Sequence, residues 1–344
     1  MNTLEVSFAS DIYHFSGTKK GPTVVIIGGV HGNERVGVYV IEALKKSFMD
    51  EKVCGNIYLI IGNPKAYEKN VRYIDCDLNR LFGYNFYKLA NKNPQQLLLE
   101  EKRALEIGPI LAKADYLLDI HSTIKPSIPF VYIKNTSDHL ALARFFETQY
   151  IVSCHSDYKI ANLGHAEKRP CHSKSHISAC SLHSSCDTFV DQHGGLGITF
   201  EAGWHQDKDP SIFPQTLAKT KEFLKTIGVA FTSLPDKHFT HEPNIYSTMS
   251  ASLSTVSAKH IFIYQEIVPQ SSSFVFLKDY HNFDFVQKGE TLAQDVFQHG
   301  PKVSDKKIIV QNDSYIIFPK LDIRVGKIAC YLASTDLTPS SLPL

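Results

Sequence analysis

Between residues 23 and 228 the apolar positions follow two alternating rhythms. Short, β-branched runs closed by turn residues predict strands at Thr23–Gly28, Asn56–Ile61, Tyr116–His121, Phe130–Ile133 and Leu196–Glu201. Stretches with apolar residues three and four apart predict helices at Glu34–Phe48, Gln95–Lys113, Ser137–Tyr150 and Ile212–Ile227. In the first of these, Val36, Val40, Ile41 and Leu44 form one stripe. Such alternation predicts an α/β layer with a mostly parallel central sheet. Upstream, Leu4–Phe8 and Ile12–Phe15 predict a short hairpin. After about Pro235 the helical spacing fades. Short alternating runs follow at His260–Ile267, Phe274–Leu277, Phe283–Val286, Lys307–Val310, Tyr315–Phe318 and Ile328–Leu332. They predict a second, all-β domain of roughly 100 residues. The division expected is residues 1–234 and 235–344, with no internal repeat. Lys168 to Ser185, rich in Ser, His and Cys, predicts a long loop of the kind that serves as a lid.

Composition narrows the function classes. The 344 residues carry a net charge of +1 and are 43% hydrophobic. A core is affordable, and near-neutral charge argues against nucleic acid or an anionic membrane as partner. No apolar run has the length of a transmembrane helix, and the N-terminus lacks the basic-then-apolar order of a signal peptide. The seven cysteines form no CxxC, so reduced thiols and a cytoplasmic location are expected.

The strongest chemical signal lies where the first long strand ends. Gly28 to Glu34 reads GGVHGNE, which places His31 and Glu34 at the carboxyl end of a strand and the entrance to a helix. Open α/β sheets put their sites there. An imidazole and a carboxylate at that point suit one divalent cation, zinc above harder ions. Alone, an HxxE is equally a turn histidine and a solvated glutamate. A third ligand in a matching place changes the balance: Tyr116-Leu117-Leu118-Asp119-Ile120-His121 is an apolar strand that ends in His121. If the two strands are neighbours, His121 shares the crevice, and three protein ligands plus water make a catalytic zinc site. The glycine loop lacks the lysine and Ser/Thr of a P-loop and does not match GxGxxG, so nucleotide binding is set aside.

Two further stretches fit that crevice. Arg72 to Arg80 (RYIDCDLNR) packs two arginines, two carboxylates and an asparagine into nine residues. A zinc hydrolase needs a cation for the developing oxyanion and a guanidinium for a substrate carboxylate, and Asp77 could orient a metal-bound histidine. Otherwise the stretch is an exposed ionic loop. Gly197 to Gly203 is an apolar strand carrying Glu201 near its end, where a carboxylate could move a proton from water to a leaving nitrogen.

Together GGVHGNE, NPKA (Asn63–Ala66), RYIDCDLNR, DIHST (Asp119–Thr123), FEAG (Phe200–Gly203), KGETLA (Lys288–Ala293) and YIIFP (Tyr315–Pro319) resemble the succinylglutamate desuccinylase/aspartoacylase family of zinc carboxypeptidase-like hydrolases. The resemblance implies a mixed sheet flanked by helices with a C-terminal β-domain. It implies one zinc ion held by His31, Glu34 and His121, Glu201 as general base and acid, and Arg72 on the scissile carbonyl. Asn79 and Arg80 would hold a substrate carboxylate, and Asp77 would brace His31. The implied reaction, a step of amino-acid metabolism, is hydrolysis of a small N-acyl amino acid such as N-succinylglutamate or N-acetylaspartate. Aspartoacylase grips its substrate with a further arginine about ten residues before the glutamate and with a C-terminal tyrosine. Residues 187–195 contain no arginine, and no equivalent tyrosine can be placed after Pro319. Lys168 and Arg169 are the substitutes the long loop offers.

Three alternatives are carried forward. A zinc carboxypeptidase would act on peptides. An inactive zinc-containing binding protein would keep the ligands and lose the catalytic residues. A second metal site would use Cys171, His172, His176, Cys180, His183 and Cys186, although their spacing matches no common zinc module. The sequence leaves a homo-oligomer open.

Overall fold

The computed structural model describes residues 3–7, 11–17, 19–50, 53–154, 184–229, 258–299 and 302–335. Strand β3 (Lys19–Gly28) carries the Val24 to Ile27 run, and all four side chains are buried. Val24 and Ile26 pack with Val40, Ile41 and Leu44 of α1 (Arg35–Asp50) and with Phe223 and Leu224 of α7 (Ile212–Thr226). Val25 and Ile27 pack with Ala104, Ile107 and Leu111 of α4 (Leu99–Leu111) and with Phe189 and Val190 of α6 (Cys186–Gln192). A strand covered by helices on both faces has no polar side, so its apolar run is continuous rather than alternating.

Among the described residues the central sheet has twelve strands. At one edge β1 (Thr3–Ser7) and β2 (Ile12–Ser16) form the expected hairpin, and β2 pairs antiparallel with β4 (Cys54–Ile61). The order then runs β3, β5 (Tyr116–Thr123), β8 (Leu196–Trp204), β6 (Phe130–Ile133), β7 (Tyr150–Cys154), β9 (Lys259–Ile267), β15 (Cys330–Ser334), β14 (Ser314–Ile317) and β11 (Phe285–Val286). Only the β4–β3, β3–β5, β5–β8, β6–β7 and β7–β9 junctions are parallel. The sheet is therefore mixed rather than mostly parallel, because β6 is inverted against β8 and both edges are antiparallel. A separate antiparallel sheet is made of β10 (Ser273–Phe276), β12 (Thr291–His299) and β13 (Lys302–Ile309).

The C-terminal strands extend the central sheet directly, since β9 lies parallel beside β7 from Tyr150↔Lys259 to Cys154↔Ile263. Ile261, Ile263, Ile317 and Tyr331 share a buried cluster with Phe130 and Val152.

Two local expectations fail for physical reasons. The helix anticipated over Ser137–Tyr150 stops as α5 (Ser137–Ala143) and one 3₁₀ turn, because Glu147 takes a left-handed φ of 48° and the chain re-enters the sheet as β7. Strand β12 escapes the pattern because a bulge between Thr291 and Ala293 buries both Leu292 and Ala293, which breaks the period of two. Among the described residues no helix is long and apolar enough to cross a membrane, and Cys54, Cys76, Cys186 and Cys330 are free thiols.

Candidate metal centre and active-site cavity

Gly29, at φ +67°, turns the chain sharply out of β3, and its carbonyl accepts from Asn63 N at 2.8 Å. That bond ties the 28–34 turn to the loop after β4. His31 and Glu34 follow the turn, each 4% exposed. His121 comes from β5, which is hydrogen-bonded to β3 in parallel register. His31, Glu34 and His121 each offer a ligand atom, and these atoms all lie within 4.8 Å of one another. The two Nδ1 atoms flank the carboxylate: His31 Nδ1 is 2.9 Å from Glu34 Oε1, and His121 Nδ1 is 2.9 Å from Oε2.

The opposite ring nitrogens face carboxylates as well. His31 Nε2 is hydrogen-bonded to Asp77 Oδ1 at 3.0 Å, and His121 Nε2 lies 2.9 Å from Asp119 Oδ2. Asp119 is fully buried, and among the described residues neither of its oxygens has a hydrogen-bond partner. Sequence reasoning singled out Asp77 and passed over Asp119. The signal was available, since residues two apart on a strand share a face. A carboxylate behind each imidazole fixes its tautomer and orients its other nitrogen.

The charge balance fits a cation. Burial alone would raise the Glu34 carboxyl, yet His31 and His121 hold it well below the usual carboxylate range. Burial disfavours a charged His121, but Asp119 and Glu34 push it well above an ordinary histidine. Desolvation would raise Asp77, which is partly buried, yet Arg72, His31 and Arg80 hold it well below the usual carboxylate range. Moreover, among the described residues His31 Nδ1 is buried with no hydrogen-bond partner although Glu34 Oε1 is close. Two imidazoles and one carboxylate, converging beside the further carboxylates of Asp77 and Asp119, suit a dication of zinc's N/O preference.

The other anticipated residues line one cavity of about 1050 Å³ with this group: Arg72, Asp77, Asn79, Arg80 and Glu201. Arg72 donates to Asp77 Oδ2 at 3.0 Å and to Glu34 Oε1 at 3.3 Å. Glu201 stands opposite His121 in the β5–β8 register. Its Oε2 is buried without a partner among the described residues, and burial pushes the carboxyl up to about 8. Asn79 Oδ1 accepts from Cys186 N at 3.0 Å, and Arg80 Nη1 donates to Asn79 O at 2.7 Å.

Besides Asp119, two residues at this site were not anticipated. Lys320, after β14, reaches the same cavity, where burial and the nearby Arg72 and Arg80 push its ammonium down to about 8. Glu100, fully buried in the first turn of α4, holds the Arg72–Arg80 loop from below. It accepts from Ile74 N at 2.7 Å, Asp75 N at 3.0 Å, Cys76 N at 3.2 Å and Asn63 Nδ2 at 2.9 Å. A single carboxylate serving backbone donors leaves no motif, which is why the sequence hides it. Glu100→Ala is expected to cost about 3 kcal/mol of stability by orphaning these donors, read as a lowered midpoint in urea unfolding.

Of the Cys/His-rich stretch, Lys168, Arg169, Cys171, His172, His176, Cys180 and His183 lie outside the described residues. Cys186 is buried in the apolar cluster under α4 and α6.

Residues 20–227 match the family model of the succinylglutamate desuccinylase/aspartoacylase catalytic domain. The chain belongs to the succinylglutamate desuccinylase/aspartoacylase family. Within and around it, an N-acyl-aromatic-L-amino acid amidohydrolase (carboxylate-forming) of Xenopus tropicalis is 33% identical over 141 residues, 37% of this chain and 43% of that relative. The chain thus spans less than half of that relative's length. A succinylglutamate desuccinylase of Pseudomonas fluorescens is 22% identical over 310 residues, 89% of this chain and 81% of the relative. The solved succinylglutamate desuccinylase of Vibrio cholerae superposes with a TM-score of 0.66 at 16% identity, covering 97% of this chain and 88% of that one. The family's fold, a large mixed sheet with helices and a separate C-terminal antiparallel sheet, is the fold described above.

Proposed function

We propose that this chain is a zinc-dependent deacylase that hydrolyses the amide of small N-acyl amino acids. The observation that carries the reading is the convergence of His31, Glu34 and His121 in the cavity that also holds Glu201, Arg72 and Arg80. His31 Nδ1, His121 Nδ1 and the Glu34 carboxylate would hold the ion, with Asp77 and Asp119 orienting the rings. Zinc so held supplies Lewis-acid polarisation of the amide carbonyl and eases deprotonation of water.

The chain's own residues do the rest. Arg72, fixed between Glu34 and Asp77, points charge at the carbonyl oxygen as it becomes an oxyanion. Glu201 takes a proton from the attacking water and delivers it to the amide nitrogen. A C–O bond forms, the C–N bond breaks, and a carboxylate and a free amino acid leave. Asn79 and Arg80 hold the α-carboxylate common to the substrate class, and Lys320 adds a second cation. A residue buried near neutrality, as Glu201 is, can both accept and donate a proton.

Residues 1–234 would carry the chemistry and 235–344 would wall the substrate space. Asn282, Phe318, Pro319 and Lys320 come from the second stretch and line the cavity. A wall on that side favours short substrates over the peptides a carboxypeptidase would need. The test is release of free amine from N-acetyl, N-succinyl and other N-acyl amino acids, beside blocked dipeptides, with and without chelator. Hydrolysis of dipeptides alone would reject the reading. Arg72→Ala is expected to lower kcat by about 10²–10³, the typical loss for one oxyanion donor, with a smaller change in KM.

A further inference from the structure

Resting on that deacylase reading, we propose that Asp187 closes a side-chain pocket beneath the metal-ligand group and selects N-acyl amino acids whose side chain bears an ammonium. The sheet register sets the layers. His121, Glu201 and Phe130 stand abreast on β5, β8 and β6, and Asp119, Thr199 and Tyr132 stand abreast one pleat deeper. Tyr132, Thr199 and Asp187 line the same cavity as His121 and Glu201.

The reacting atoms fix which part of the substrate meets this layer. The leaving nitrogen faces Glu201, and the α-carboxylate faces Asn79 and Arg80. Asn79 Oδ1 is bonded to the backbone N of Cys186, so Asp187 is the next residue along from the carboxylate-binding amide. The start of α6 lies directly on β8 there, since a Cβ on Gly197 would come within 2.3 Å of the Asp187 carbonyl oxygen. The amino-acid side chain, held between those two anchors, therefore turns toward Asp187.

Asp187 is 3% exposed, and its Oδ1 is buried with no hydrogen-bond partner among the described residues. Burial raises its carboxyl to about 6 against hydrogen bonds from the Ser185 side chain and the Thr188 backbone N–H, and the charges that bear on it are the carboxylates of Asp119 and Asp191. An acidic side chain in this layer would meet like charge, whereas an ammonium would satisfy the open oxygen and offset the cluster. The cavity is thus cationic at Arg80 and Lys320, where the α-carboxylate binds, and anionic at its floor. It departs from the acidic substrates anticipated from the sequence resemblance.

The test uses holoenzyme and three amino acids of similar length: ornithine, norvaline and glutamate. Their binding is measured by calorimetry, and hydrolysis of their N-acetyl derivatives is measured in parallel. Ornithine is expected to bind at least about tenfold more tightly than norvaline, with glutamate weakest, and kcat/KM should follow the same order. Asp187→Asn should remove the ornithine advantage while norvaline changes less than about twofold. Tighter binding of glutamate than ornithine by the wild-type protein overturns the proposal without any variant. So does an equal loss for ornithine and norvaline in folded Asp187→Asn. If no N-acyl derivative is hydrolysed, the deacylase reading fails, and the binding order still decides the role of Asp187.

Discussion

Glu201→Gln is expected to lower kcat by about 10²–10⁴, the usual worth of a positioned proton-transfer group. The amide keeps the shape and the buried position but can neither take a proton from water nor hand one on. Glu201 is not among the three residues whose ligand atoms converge, so metal content should stay at that of the unaltered protein. Its Oε2 has no hydrogen-bond partner to lose, so the melting temperature should change little. Metal analysis, melting and steady-state kinetics on one preparation make the check. Loss of metal along with activity would instead place Glu201 among the ligands, and full activity would remove it from the reaction.

The second large effect is loss of the ion. Dialysis against a chelator is expected to bring hydrolysis to background, and added zinc should restore it. His121→Ala should bind no metal at stoichiometric zinc and should not be rescued. Asp119→Asn tests the support behind that imidazole: metal affinity should fall by about 10–100-fold while the fold persists. Ligand-linked stability gives a readout independent of turnover. At zinc a hundred times its dissociation constant the folded state gains about 2.7 kcal/mol, a gain that His121→Ala should lack. Chelator-resistant hydrolysis would overturn the metal-centred reading.

The sequence carried this site unevenly, and the reasons are physical. His31, Glu34 and His121 were legible because they lie near or just past the carboxyl ends of doubly buried strands, and such strands are the easiest elements to see. Arg72 to Arg80 was legible as a dense ionic stretch, although nothing in it showed that Glu100 clasps its backbone from another helix. Asp119 was hidden inside an apolar run, where it was passed over as part of the strand. Asp187 was hidden differently: it stands in a stretch that lacks the family's arginine, and a lone carboxylate there forms no motif. In the fold, the alternating strands and helices were readable, while the extension of the sheet by β9 was not. Strand partners distant in sequence leave no local pattern, so β9 reads the same whether it begins a new sheet or continues an old one.

That continuation protects the chain against its own kind. Without β9, the whole length of β7 would be an open ladder beside the apolar patch of Phe130 and Val152, a template for pairing with another copy. Instead the added strands carry the ladder outward until it ends in β11, only two residues long. The segment that shapes what enters the cavity thus also guards against aggregation, and sequence changes that retune it must leave the guard in place.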